Sequence, residues 1–344
     1  MPHLIPHLVS TIIPAYNRPQ MLKRAVESVL KQTYRPIEAI ISDDGSTDGT
    51  PEMGRTLEKT HPDEVRYIWN PNRGAGPARE SGRQLAQGEF IQYLDSDDRL
   101  LPPKFEVMVK ALREHPECGA AYGFIRFCPE GQEPWPQPYK CSGQELPELF
   151  PRLLYDRWWN TDCPLFRRTV CDAVGPWTDL RYSQDWEYDG RVGALKTKLI
   201  HCPEFVCEQH DHGGVRQTAK SPWLKPPDRL RFLRLMFQHG RQAGVGMESP
   251  EMRHFARWSF LNARQCGLLG DAAAAKGCLE LAVEASNGAF KDMPVYRVVA
   301  NTVGWRIAAQ LASALDRLKP GKTSNTTLKQ SWMERPQTPP KNKF

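Results

Sequence analysis

Apolar positions in the first 127 residues change period repeatedly, and each change marks an element. Leu8-Val9-Ser10-Thr11-Ile12-Ile13 is a short, β-branched run stopped by Pro14 and predicts a strand. Arg18 to Gln32 places Leu22, Ala25, Val26, Val29 and Leu30 at helical spacing. Ile37 to Ile41 predicts a second strand, ended by the turn-rich Asp43-Asp44-Gly45-Ser46-Thr47-Asp48-Gly49. Thr50-Pro51 opens a helix with Pro in its first turn and Met53 and Leu57 on one face. Val65 to Trp69 predicts a third strand, Asn70 to Gly76 a Gly-rich loop and Pro77 to Gln87 a third helix. Phe90-Ile91-Gln92-Tyr93-Leu94 predicts a fourth strand that runs straight into Asp95-Ser96-Asp97-Asp98, with a helix over Pro102 to His115 beyond it.

Strand-helix-strand units in series predict an α/β fold, a Rossmann-like and mostly parallel sheet with helices on both faces. Ligands of such sheets sit outside the carboxyl ends of the strands. Here those ends carry Pro14-Ala15-Tyr16-Asn17, Asp43-Asp44, Arg73-Gly74 and Asp95-Ser96-Asp97-Asp98, so one edge collects all the polar loops. Pro129 to Pro151 reads as a loop or a pair of edge strands. Trp158 to Val170 and Asp185 to Leu195 read as structured, the second as a helix, and Phe205-Val206-Cys207 as a short strand. After Pro222 the pattern turns helical: Arg229 to His239 behind the cap Asp228, a pair over Glu251 to Leu269 and Asp271 to Ala285, and one longer helix over Val295 to Leu318. The expected division is residues 1–221, an α/β domain; 222–318, a helical region; and 319–344, a polar, Pro-containing tail expected to be disordered.

Charge sharpens this division. Lys plus Arg is 46 and Asp plus Glu 40, a net +6 over 344 residues. The tail holds six basic residues and one acid, +5, so the rest is close to neutral. That balance excludes a dedicated nucleic-acid surface, whereas the tail suits contact with an anionic membrane. No run of about 18 apolar residues predicts a membrane span, and the N-terminus lacks a signal-peptide pattern. Nine Cys without a CxxC pair read as free thiols in a reducing cytosol. A cytoplasmic enzyme, at most at the cytoplasmic face of a membrane, is the expected setting.

The candidate chemistry lies at the collected edge. Three carboxylates in Asp95-Ser96-Asp97-Asp98 repel one another unless a divalent cation such as Mg²⁺ or Mn²⁺ takes their oxygens. The alternative is a solvated acidic turn capping the next helix. Asp44 suits either a turn or a buried acceptor for a base N–H. Arg73 and Arg79 suit phosphate or a surface ion pair. Asp185, in Ser183-Gln184-Asp185-Trp186-Glu187, reads either as a carboxylate made more basic by the neighbouring Trp or as an acid at a helix start. His210 and His212, two apart, suit metal or phosphate contact or an ordinary surface.

In order and spacing, four segments resemble the family 2 glycosyltransferases of GT-A fold: Thr11-Ile12-Ile13-Pro14-Ala15-Tyr16-Asn17, Ser42-Asp43-Asp44-Gly45-Ser46-Thr47-Asp48-Gly49-Thr50, Asn72-Arg73-Gly74 with Ala78-Arg79, and Gly88-Glu89-Phe90-Ile91-Gln92-Tyr93-Leu94-Asp95-Ser96-Asp97-Asp98. The resemblance covers about Ser10 to Thr218. It implies that Pro14, Ala15 and Tyr16 line a nucleotide pocket and that Asp44 takes the base N–H. It puts Arg73 and Arg79 near the donor, Asp95 and Ser96 on the sugar nucleotide, and Asp95, Asp97 and Asp98 on a Mn²⁺ or Mg²⁺ ion, with His210 or His212 approaching the same ion. Asp185 matches the acid that serves as base. Gln184 stands where the family usually has Glu, and Glu80 where it usually has Asn. The chain has no Gln-x-x-Arg-Trp motif, which points to a single transfer rather than processive synthesis.

The implied activity is inverting transfer of a sugar from a nucleotide-diphosphate donor, with UDP the expected nucleotide, to a hydroxyl of a glycan or lipid-linked acceptor in cell-surface polysaccharide or glycoconjugate assembly. Two other classes fit the acidic cluster: a metal-dependent nucleotidyl or phosphoryl transferase, which would not need Asp185, and a non-catalytic nucleotide-sugar-binding module.

Overall fold

The computed structural model describes residues 4–211 and 225–317. His212, the expected junction at 221–222 and the expected tail lie outside the described residues. The described residues divide into two compact units, one within Met1–Trp223 plus Gln238–Val245, the other within Leu224–Phe237 plus Gly246–Phe344.

The first unit is built on β1 (Ile5–Ala15), α1 (Pro19–Leu30), β2 (Ile37–Asp43), α2 (Thr50–Thr60), β3 (Val65–Trp69), α3 (Ala75–Leu85), β4 (Gly88–Tyr93), β5 (Arg99–Leu100), α4 (Lys104–Glu114), β6 (Ala120–Cys128), β7 (Leu165–Arg167), α5 (Arg168–Val174), α6 (Gln184–Ala194) and β8 (Leu199–His210). One eight-stranded sheet runs β3-β2-β1-β4-β7-β6-β8-β5. From β3 to β4 the pairing is parallel. In β1, every residue from Leu8 to Ala15 is buried, as expected of a strand covered on both faces. Val9, Ile12 and Ile13 are fully buried in this core, with Leu22, Val26 and Val29 of α1.

Beyond β4 the sheet departs from simple alternation. Strand β7 is short and antiparallel to both β4 and β6, whereas β6 and β8 are parallel. An antiparallel neighbour brings its amino end to the edge where β4 has its carboxyl end. The loop before β7 therefore enters the site. Strand β8 is far longer than the three residues expected, because its pairing with β6 continues through two register shifts near Phe124. Residues 129–151 form the loop alternative. It is held beside β6 by Trp135 N donating to Phe127 O and Tyr139 N to Ile125 O, both 2.8 Å.

The second unit is helical: the first part of α7 (Pro226–Gln242), then α8 (Pro250–Leu268), α9 (Ala272–Ala285), α10 (Asp292–Val303) and α11 (Trp305–Arg317). Ser249 and Asp271 cap α8 and α9, accepting from Met252 N and Ala274 N. The face of α9 with Ala274, Ala275, Cys278 and Ala282 is buried, and these small side chains let α8 and α9 approach closely. The single helix expected over 295–318 is two. Gly304, at φ +88°, ends α10 in a conformation that a side chain disfavours, and α11 starts at the next residue.

Candidate active site

The ends of β1 and β2 are stapled together. Asp44 N donates to Ala15 O (2.8 Å), Asn17 N to Ser46 Oγ (2.9 Å) and Thr47 N to Asn17 Oδ1 (2.9 Å). Pro14 and Ala15 are buried there, and Tyr16 is exposed beside them. Gly45 turns the chain at φ +77°, and a Cβ on it would stand 2.7 Å from Asn72 N. The loop after β3 thus closes on the loop after β2. Asp44 completes the closure, accepting from Arg73 N (2.7 Å) and Gly74 N (2.9 Å). Burial raises the Asp44 pKa, the two N–H donors lower it, and the result stays above the ordinary value. Asp44 therefore organises the loop that carries Arg73. A carboxylate has about four acceptor positions, so capacity for one more donor remains.

Arg73 is exposed, whereas Arg79 is buried in α3. Arg79 Nη2 lies 2.5 Å from Asp95 Oδ1, and its guanidinium carbon stands 4.8 Å from the Trp177 ring centre. Its Nε and Nη1 are buried with no hydrogen-bond partner among the described residues. Buried donors left unmatched in this way are rare.

Beside Asp95 the structure assembles an acidic set that differs from the run in sequence. Asp95, Asp98 and Asp162 each offer an oxygen, all within 4.8 Å of one another. Ser96 is buried between them in sequence, and Asp97 instead pairs with Arg18 at 2.9 Å. Asp162 arrives by register: extending Gln92↔Leu165 by three residues puts it opposite Asp95, whose N–H it accepts at 2.6 Å. Asn160 Nδ2 donates to its other oxygen at 2.7 Å. Buried Lys104 donates to the carbonyls of Asp162 and Cys163, both at 2.7 Å, and so fixes the loop rather than the carboxylate. Burial and then mutual repulsion push Asp98 well above the ordinary carboxylate range and Asp162 up to about 7. Carboxylates so placed suit a hard divalent cation with oxygen ligands, which would offset their repulsion.

The histidine expected near this set touches it by its backbone. His210 N donates to Asp98 Oδ1 (2.8 Å), while its ring lies 3.3 Å from Glu208 and accepts from Arg99 Nε at 2.9 Å. Cys128, Glu208 and His210 form a second group of metal-type ligands. Arg99 and Arg126 already pair with Glu208 there, at 3.0 and 3.6 Å.

Asp185 stands in the first turn of α6. Arg157 bridges it to Asp189: Nη1 to Asp185 Oδ2 at 2.5 Å, Nε to Asp189 Oδ2 at 2.7 Å. Burial pushes the Asp185 carboxyl up, but Arg157, Arg79 and the Trp186 N–H outweigh it and its pKa lies below the ordinary value. This corrects the expectation of a more basic group. The Trp186 indole turns away to Leu153 O, and a guanidinium takes the place expected of an aromatic wall.

Asp162 and Arg157 join the site without a clear signal in the sequence. Asp162 stands in Asn160-Thr161-Asp162-Cys163 with no repeat or spacing to mark it, and only the antiparallel β7 recruits it. Arg157 precedes Trp158-Trp159, a weak sign that a charged group enters a packed region.

Residues 10–171 match the family model described as glycosyl transferase family 2. Over this segment, just under half of the chain, the protein is similar to glycosyltransferase family 2. Among its relatives, the GalNAc(5)-diNAcBac-PP-undecaprenol beta-1,3-glucosyltransferase of Campylobacter jejuni is 34% identical over 108 residues, 31% of this chain and 35% of that one. The chondroitin synthase of Escherichia coli is 40% identical over 115 residues, 33% of this chain and 17% of that one. The matched segment thus spans about a third of such relatives or less. S. aureus TarS 1–349 in complex with UDP-GlcNAc superposes with a TM-score of 0.65 at 16% identity, covering 88% of this chain and 90% of that one. At that identity the likeness shows the fold, which is GT-A.

Proposed function

We propose that the protein is an inverting glycosyltransferase that moves a sugar from a nucleotide-diphosphate donor to an acceptor hydroxyl. The carrying observation is Arg79. It pairs with the cluster acid Asp95, lowers the pKa of Asp185, and keeps two buried guanidinium nitrogens unmatched. An anionic diphosphate between the two acidic centres would match those donors. Arg73, exposed on the loop held by Asp44, supplies further positive charge at the same edge, and Pro14, Ala15 and Tyr16 flank the base.

Asp95, Asp98 and Asp162 would hold the divalent cation, Mn²⁺ or Mg²⁺, with Asp97 joining them on release from Arg18. The bound ion would supply Lewis-acid stabilisation of charge on the departing diphosphate. Asp185, kept ionised by Arg157, accepts the proton of the acceptor hydroxyl as that oxygen attacks the anomeric carbon. The opposite-face geometry inverts the configuration. Holding both substrates at one edge is worth at most about 7–11 kcal/mol of the barrier.

UDP is our choice of nucleotide, supported by the UDP-GlcNAc bound in the TarS structure. A glycan or lipid-linked acceptor in cell-surface polysaccharide assembly is supported by the names of the two curated relatives. Nine free cysteines fit a reducing, cytoplasmic setting. Among the described residues no helix is long and apolar enough to cross a membrane.

Incubation with a panel of nucleotide sugars and Mn²⁺ tests the reading. Release of nucleotide diphosphate from one donor, accelerated by a hydroxyl acceptor, is the expected result. Release of pyrophosphate or nucleoside monophosphate would instead identify nucleotidyl or phosphoryl transfer. Binding without turnover would identify a binding module.

A further inference from the structure

Helix α11 has two apolar faces. Ala308 and Ala309 are buried in the helical unit. Ile307, Leu311 and Leu315, four residues apart, form a second stripe and are 50%, 50% and 60% exposed. In the helix before it, Val295 and Val298 are also exposed, at 63% and 66%. Three large side chains in line on one helix are more than scattered surface residues.

We propose that this stripe docks on an anionic phospholipid bilayer. The charges around it carry the choice of occupant. Exposed Arg306 and Arg317 stand near its two ends. The one acid of α11, Asp316, pairs with Arg264 at 2.7 Å, so its charge is balanced. Directly beyond α11 the sequence continues with residues 319–344, six basic and one acid. A short apolar stripe alone binds a membrane weakly, and a basic segment beside it supplies the second signal that stable attachment needs. A second copy is the poorer fit, because stripe-to-stripe contact would bring two sets of basic residues together. No residue of the first unit takes part, so membrane docking stands or falls independently of the catalytic reading.

The test is co-sedimentation of the full chain with phosphatidylcholine vesicles, with and without about one-third phosphatidylglycerol. At low salt we expect at least roughly tenfold more protein in the anionic pellet, lost in high salt. The Leu311→Glu, Leu315→Glu double variant changes only exposed side chains. It should keep its melting temperature and lose about tenfold or more of the pelleting. Lys319→Glu with Lys322→Glu and Lys329→Glu should lose a similar share. Pelleting of the double variant at the wild-type level overturns the proposal. So does a truncation after Leu318 that binds more vesicle than the full chain, which would make the basic segment a cover for the stripe. Light scattering that shows a dimer dissolved by Leu311→Glu, with no vesicle binding, assigns the stripe to a second copy instead.

Discussion

Two acidic centres share the carboxyl edge of the first unit, and they set the protons of their key acids in opposite directions. Around Asp95, Asp98 and Asp162 carboxylates crowd one another, and Asp98 and Asp162 hold their protons tightly, Asp162 pushed up to about 7. Around Asp185 and Asp189, Arg157 sits between the two acids and Asp185 loses its proton more easily than an ordinary carboxyl, while burial keeps Asp189 above its ordinary value. Burial acts on both in the same direction, so the difference comes from the neighbouring charges. One centre is short of positive charge and suits an ion from solution. The other carries its own cation and suits a side chain that must stay ionised at neutral pH. Arg79, in contact with Asp95 and acting on Asp185, belongs to both.

The largest effect that would break this division is on turnover. Asp185→Asn keeps size and most hydrogen bonds but cannot take a proton. It should lower transfer by roughly 10²–10⁴-fold while leaving calorimetric donor affinity nearly unchanged. Asp98→Asn should do the reverse first, weakening donor binding and removing its dependence on Mn²⁺. If both variants lose binding and turnover alike, the two centres are one, and Asp185 is a structural acid at a helix start. Retention of the donor's anomeric configuration in the product would remove Asp185 from the role of base as well.

A somewhat smaller effect should follow from Arg157→Gln. Its side chain is 11% exposed and Asp189 4%, so removing the guanidinium leaves buried charge uncompensated, at a cost of about 3–5 kcal/mol. The Asp185 pKa should rise toward or above its ordinary value. The acid limb of the transfer profile should therefore move to higher pH. At a fixed pH on that limb, the rate should fall about tenfold each time the limb moves by one pH unit. Arg157→Lys retains the charge but not the two-pronged contact, and should fall between. A pH profile that does not move in either variant would show that Arg157 only packs.

How much of the site is legible in the sequence depends on which strands carry a residue. The parallel half is readable, because strand, turn and helix alternate locally and the polar ends must share an edge. Asp44 and Asp95 both follow strand ends at that edge, on either side of β1. The rest depends on contacts distant in sequence. Asp162 joins the cluster through β7, three residues long, and nothing local announces a reversal of strand direction there. Asp97, by contrast, lies inside the most recognisable motif yet faces Arg18, since successive residues of a turn point different ways. Arg157 inverts the expected effect on the Asp185 pKa, and a neighbour 28 residues away cannot be inferred from the Trp next in sequence. In the helical unit, Gly304 at φ +88° breaks one expected helix into two, and a single Gly in an apolar run does not by itself announce such a break.

The smallest effect concerns the coupling of protons to the cation. Asp162, at about 7, and Asp98, well above its ordinary value, both have folded pKa values raised above those of the unfolded chain, near 3.9. Below about pH 4 both states hold these protons and the cluster costs nothing. As pH rises from there through 7 the unfolded chain gives up these protons first, so stability falls until the folded state has lost them too. Asp185, Glu187 and Glu208, all lowered, act in the opposite sense at lower pH, so the raw melting curve mixes the two. The Mn²⁺-induced change in melting temperature separates them, because the ion competes with protons only in the cluster. It should be small at pH 5 and grow toward pH 8. With Mn²⁺ at a hundred times its dissociation constant, the stabilisation reaches about 2.7 kcal/mol, a rise of several degrees at roughly 2–4 °C per kcal/mol. Asp162→Asn should flatten the pH dependence, and Asp189→Asn should leave it in place. A rise equal at pH 5 and pH 8 would mean that Mn²⁺ binds elsewhere, and the contrast between the two acidic centres would then lose its chemical meaning.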